Sequence, residues 1–226
     1  MGFVIRGQGQ FGSFSLKIFI NLIVMIKFYK KIYKKISNKF SKEFLFDGDD
    51  ELFKKILRTS KKYSEYGCGK STIWVAENTN AVMCSVDTSK KWIDFCDNEL
   101  RNRKATFFWI DCGRLKNWGR PIGYSLRHNF MSYAESIWKN DVSSDTVLID
   151  GRFRVLCFFV SLKHAREGAR IIFDDYVNRP HYHIIEEFIP RAEVCGRQAL
   201  FIVPSKNLID LELLDQMISK FEYVMD

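Results

Sequence analysis

The chain has 226 residues, 46% of them hydrophobic, and a formal net charge of +8; this length fits one domain with an appendage and speaks against two catalytic domains. The six cysteines, Cys68, Cys84, Cys96, Cys112, Cys157 and Cys195, stand singly with no C-x-x-C pair, which argues against a zinc site or a disulfide framework and for reduced thiols in a cytoplasmic protein. Residues 1–45 hold nine lysines and arginines against Glu43, the whole of the +8, and the other 181 residues balance at 26 basic and 26 acidic. A neutral body lacks the field that a phosphate backbone requires, so nucleic acid is not an expected partner.

Residues 1–45 read as a basic segment ahead of a domain over 46–226. The run from Ile18 to Ile26 is too short for a bilayer, which needs about 20 apolar residues. Ile26, Tyr29, Tyr33, Ile36, Phe40 and Phe44 then recur at three- and four-residue steps with lysines between them, the pattern of an amphipathic basic helix. Over residues 14–45 such a segment either lies on an anionic membrane at its cytoplasmic face or packs its stripe on the body. The periodicity fits both.

The first strand is predicted at Lys62–Tyr66, and Glu65-Tyr66-Gly67-Cys68-Gly69-Lys70-Ser71-Thr72 turns from it into a helix over 71–80. Two glycines one residue apart let a ligand approach the backbone, and a helix starting at Ser71 aims unpaired N–H groups over the turn. Gly69-Lys70-Ser71-Thr72 also spells the end of a phosphate-binding loop. That pattern needs glycine where Ser64 stands, and it would put Glu65 against a triphosphate, so an ATP-dependent kinase is the minor alternative.

A strand over 82–86, a helix over 89–102 and a strand over 105–110 follow. About 34 residues without a clear period separate these from a strand at Thr146–Ile149, a helix over 152–166 and a strand over 169–173. A helical stretch over 181–189 precedes two closing strands, 191–195 and 200–203, joined by Gly196-Arg197. The alternation implies an α/β fold whose parallel sheet is covered on both faces, with an antiparallel hairpin at one edge. Asp87, Asp111, Asp150 and the pair Asp174-Asp175 stand at strand exits, the edge at which such sheets bind ligands.

Over about residues 45–205 these features resemble the class I S-adenosylmethionine-dependent methyltransferases, which implies a doubly wound, seven-stranded, Rossmann-like sheet. The resemblance places Glu65, Gly67 and Gly69, with Ser71 at the helix start, around the methionine portion of S-adenosylmethionine. It gives Asp87 the ribose hydroxyls and Asp111 the adenine. The 22 residues from Glu65 to Asp87 agree with the roughly 20 that a βαβ unit puts between turn and ribose acid. Each aspartate is also a common helix cap.

Asp150, Asp174 and Asp175 are similar to the acids that hold magnesium in catechol-type O-methyltransferases, where the ion binds the acceptor's oxygens. The alternative is neutralisation by Arg152, Arg154 or Arg179. Those enzymes carry a lysine three residues after the strand-four acid; Phe153 stands here, so the base is sought in His181 or His183, or, without a metal, in Asp150 or Asp175. Asp150-Gly151-Arg152-Phe153-Arg154 and Trp118-Gly119-Arg120-Pro121 resemble a bacterial branch with glycan-type or small polar acceptors. Trp118, Tyr124, Arg127, His128 and Tyr133 in the long connection offer faces and donors for such a molecule. The expected activity is O-methylation of a small molecule or saccharide, with N-methylation or a binding module without turnover as the alternatives.

Overall fold

The computed structural model describes residues 44–100, 104–139 and 143–226; the helix and membrane contact expected of residues 14–45 fall, but for Phe44 and Leu45, outside them. Helix α1 (Glu51–Leu57) leads into β1 (Lys62–Tyr66), α2 (Lys70–Asn78), β2 (Val82–Asp87), α3 (Lys90–Glu99) and β3 (Ala105–Trp109). After the long connection, which contains α4 (Phe130–Glu135), come β4 (Thr146–Ile149), α5 (Arg154–His164) and β5 (Arg170–Phe173). The hairpin β6 (Glu193–Cys195) and β7 (Gln198–Ile202) and helix α6 (Leu211–Phe221) close the chain.

All seven strands form one sheet in the order β3-β2-β1-β4-β5-β7-β6. Strands β1 to β5 are parallel, β7 runs antiparallel to β5, and β6 antiparallel to β7. The doubly wound sheet with a C-terminal hairpin is thus the fold this sequence forms. Strand β4 is buried at every position and β5 at three of four, as an apolar run covered on both faces must be. The period of two then divides the core. Val147, Ile149, Ile171 and Phe173 pack on one face with α5 and α6, while Leu148, Ile172 and Leu200 pack on the other with Phe53 of α1 and Val75 of α2.

Helix α5 is buried from Arg154 through Leu162. It starts two residues later than the pattern predicts because Phe153 sits at φ 55, in the left-handed region. The stretch expected over 181–189 is a 3₁₀ helix, Pro180–Glu187, with proline in its first turn. Three helices escaped the sequence reading: α1, α4 and α6. The last carried a legible signal, since Asp210 caps it by accepting from the Leu213 N–H at 2.9 Å. No described helix is long and apolar enough to cross a membrane.

Phe158 of α5 is fully buried, with Phe201 edge-on at 5.0 Å and Phe159 and Phe173 at 6.0 and 6.2 Å. Phe158→Ala is expected to lower unfolding free energy in urea by about 3–5 kcal/mol. A loss under about 1 kcal/mol would mean the ring is not in the core.

Candidate active site

The order of strands reverses between β1 and β4, and there the chain turns away from both strands over glycine. Gly67 adopts φ +89, and its N–H donates to the Val86 carbonyl at 2.8 Å. A methyl group on Gly67 would lie 2.7 Å from the Gly151 Cα, so the turns after β1 and β4 meet backbone to backbone. Gly151 is closed on its other side by the Tyr133 hydroxyl, which accepts from the Arg152 N–H at 3.3 Å. Gly69 differs. Its backbone is extended, at φ 170, and nothing lies within 4 Å of where its Cβ would be. This is the open side of the turn.

Glu65 lies beneath the turn, fully buried. Its carboxylate accepts from the hydroxyls of Tyr63, Ser71, Thr72 and Ser85 at 2.5 to 2.8 Å, tying β1 to β2 and to the first turn of α2. Burial raises its pKa and the four hydroxyls oppose that rise. The sequence expectation that Glu65 and Ser71 face a cofactor is therefore corrected: Ser71 is buried with its hydroxyl on Glu65, and both hold the shape of the turn.

Asp87, the last residue of β2, accepts from the Cys68 N–H at 3.1 Å and the Ser89 N–H at 2.6 Å. Burial pushes its carboxyl up to about 6, against the pull of those two N–H groups and of Arg152. The long connection is pinned beside it by the Thr88 hydroxyl, which donates to the Gly119 carbonyl at 2.7 Å, and the Trp109 indole at the end of β3 donates to the Thr88 carbonyl at 3.0 Å. Trp118, at φ 63, is 78% exposed there, and Tyr124, Arg127 and His128 are exposed as well. Tyr133, expected on an acceptor-facing lid, is instead a core residue. Asp111 is exposed, its side chain closing a turn with the Gly113 N–H.

Beyond β4 and β5 the three aspartates do gather, around Arg154. Its guanidinium, 3% exposed, contacts the Asp150 carboxylate at 3.0 Å and Asp175 at 3.4 Å. Arg179 and Arg197 also pair with Asp175, and the Gln198 amide donates to Asp174 at 3.0 Å. Burial, and then the neighbouring Asp150, push the Asp174 carboxyl up to about 8; Asp150 is raised by burial as well, with Asp174 hydrogen-bonded to it. Of Arg152, Arg154 and Arg179, expected as neutralisers, the last two pair with these acids. Arg197 and Gln198 escape the sequence pattern, because the hairpin brings them across from a distant part of the chain.

A divalent ion does not fit this cluster. Metal ligands are oxygens facing a shared vacancy, whereas here the Arg154 guanidinium lies between the Asp150 and Asp175 carboxylates and the Gln198 amide takes that of Asp174. Among the described residues no group of three acidic, histidine or cysteine side chains is arranged to hold a metal. The expectation that Asp150, Asp174 and Asp175 ligate magnesium is corrected accordingly.

The two candidate histidines lie on the 3₁₀ helix. His183 has a ring nitrogen 3.2 Å from the Tyr176 carbonyl and packs on the Tyr176 ring, and His181 is exposed against Tyr182. Neither shares a hydrogen bond with Asp87 or Asp150 among the described residues. Asp226 reaches the same end of the sheet. Its carboxylate accepts from the Arg154 N–H at 2.9 Å, and its carbonyl from Arg152 at 2.8 Å.

No protein-family model and no curated protein matches the chain. Among solved structures, a methyltransferase-like protein from Silicibacter pomeroyi matches with a TM-score of 0.70 at 25% identity, over 80% of this chain and 96% of that one. The chain has the class I methyltransferase fold. More distant matches are an O-methyltransferase from Bacillus cereus in complex with S-adenosylhomocysteine (TM-score 0.48, 18% identity, 77% and 89% covered) and the N-methyltransferase NodS from Bradyrhizobium japonicum, also in complex with S-adenosylhomocysteine (0.49, 12%, 76% and 98%). In doubly wound sheets the point where strand order reverses, here between β1 and β4, is the usual place for a ligand.

Gly67→Ala forces a methyl into the Gly151 backbone at a positive φ, so a loss of about 2–4 kcal/mol is expected in urea denaturation. Gly69→Ala meets open space and should change stability by less than about 1 kcal/mol. Equal losses in the two variants would contradict the assigned geometry.

Proposed function

We propose that this chain is an S-adenosylmethionine-dependent methyltransferase whose acceptor is a hydroxyl of a small molecule or saccharide. One observation carries the proposal. The open face of Gly69 and the carboxylate of Asp87 stand at neighbouring strand ends, joined by the hydrogen bond from the Cys68 N–H to Asp87. A cradle that a Cβ would fill, beside an acid at the end of β2, fits a nucleoside whose chain crosses the turn. Gly67, Gly69 and the N-terminus of α2 would hold the methionine portion and Asp87 the ribose, and Asp111 remains the candidate near the adenine.

When bound, S-adenosylmethionine supplies a methyl group on a positively charged sulfur. What remains for the protein is alignment and removal of the acceptor's proton. Asp150 is the proposed base. Its side chain is 34% exposed, it leaves β4 beside the Gly67 turn, and Arg154 fixes it from behind. His181 and His183 have weaker claims, since packing on Tyr182 and Tyr176 engages their rings. The exposed Trp118, Tyr124 and Arg127 suit a polar ring-shaped acceptor. We further propose that the basic segment over 1–45 is an appendage to the domain over 46–226 and contacts anionic membrane.

Calorimetry with S-adenosylhomocysteine tests the cofactor. The wild-type chain should bind it in preference to ATP, and Gly69→Ala and Asp87→Ala should each weaken binding by about 10- to 100-fold while remaining folded. Preference for ATP would remove the proposal. Binding without turnover on any hydroxyl or amine would leave a cofactor-binding module.

The ionised form of Asp87 accepts hydroxyl donors, so affinity should be constant above pH 7. It should fall about tenfold per unit below the carboxyl's value of about 6. Asp87→Asn should bind weakly at every pH, and a wild-type profile flat from pH 7 to 4.5 would exclude the ribose contact.

A further inference from the structure

Arg154 is the first residue of α5, and the left-handed Phe153 before it bends the chain so that its side chain runs back under the strand ends. All its donors are engaged. Nε donates to the Gly151 carbonyl at 3.1 Å. One terminal nitrogen donates to the Asp174 carbonyl at 2.7 Å and the Asp175 carboxylate at 3.4 Å, and the other to the Asp150 carbonyl at 3.1 Å and carboxylate at 3.0 Å. A guanidinium has five N–H groups, and five protein oxygens take them. Every acceptor comes from the ends of β4 and β5 or the turns that follow, so one planar cation gathers both turns and the acids they carry.

We propose that the Arg154 guanidinium is a built-in counter-cation, standing where a divalent ion would otherwise bind between Asp150, Asp174 and Asp175, and that acceptor activation here is independent of metal. The second half of this statement rests on the methyltransferase proposal above; the first does not. Three carboxylates gathered at two adjacent strand ends, two of them buried, need compensation. A divalent ion and a guanidinium both provide it, with different consequences for the substrate. An ion keeps open positions that grip two neighbouring oxygens of an acceptor and favour its ionised form. A guanidinium with all five donors spent has nothing left to offer, and its charge is fixed and planar. The acceptor is then held by the loop side chains and deprotonated by Asp150, and it needs no pair of chelating oxygens. A lone hydroxyl serves as well as a vicinal pair.

The test reads metal occupancy directly, from loss of the free Mn²⁺ paramagnetic resonance signal and from thermal melts, with no cofactor present. Wild-type protein should show no saturable uptake of Mn²⁺ up to about 1 mM, the range of weak protein sites, and no rise in Tm with Mn²⁺ beyond that of sodium chloride at equal ionic strength. Arg154→Met should gain one saturable Mn²⁺ site and a Tm that rises with Mn²⁺. Arg154→Lys, which keeps the charge, should stay indifferent to the ion.

Saturable binding by the wild type, or a folded Arg154→Met chain that ignores Mn²⁺, overturns the proposal. Should Arg154→Met fail to fold even with Mn²⁺, the wild-type titration decides by itself. S-adenosylhomocysteine affinity, measured on the same wild-type samples with EDTA and with Mg²⁺, separates the two proposals. Absent binding defeats the methyltransferase reading and leaves the metal result standing. Binding that is lost in EDTA defeats metal independence alone.

Discussion

Everything at the functional edge depends on two stretches of backbone meeting without side chains between them. Gly67 and Gly151 leave adjacent parallel strands and touch at the point where strand order reverses. A side chain on either would part the turns after β1 and β4 and move Gly69, Asp87 and Asp150 away from one another. The tight contact on one side of the β1 turn is also what leaves the other side open. The cradle at Gly69 and the closure at Gly67 are two faces of one bend.

Beneath that bend the protein holds buried charge by two different means. Among the described residues Glu65 has no cation partner; four hydroxyls share its two oxygens, which replaces water's hydrogen bonds without adding a second charge to desolvate. Under β4 and β5 the acids are too many for hydroxyls alone, and arginines enter from α5, the 3₁₀ helix and the hairpin. Such networks contribute less to stability than to a unique arrangement, since breaking one partner strands the others. Both sit under turns that leave the strand ends, and each fixes the position of a neighbour that faces outward: Gly69 above Glu65, Asp150 above Arg154.

Much of this was legible along the chain. The strands at 62–66 and 146–149 were read to the residue, because their buried runs end at glycine or an acid. The edge hairpin followed from Gly196-Arg197, and the convergence of Asp150, Asp174 and Asp175 from their places after consecutive strands. The helix over residues 154–164 starts later than its periodicity implies, since the left-handed turn at Phe153 stands just before it and leaves no mark in the hydrophobic pattern. His181 and His183 were candidates by proximity in sequence alone; ring packing on Tyr182 and Tyr176 was invisible there.

The sequence by itself determined the order of elements, the strands covered on both faces and the acids at their exits, because these follow from periodicity and from the chemistry of turns, which act over a few residues. Only the tertiary structure decided which acids face outward and which are satisfied inside. That choice depends on partners 20 or more residues away: Ser85 for Glu65, Gln198 for Asp174, Arg154 for Asp175. A carboxylate's role is set by what surrounds it in space, and one aspartate reads like another until its neighbours arrive.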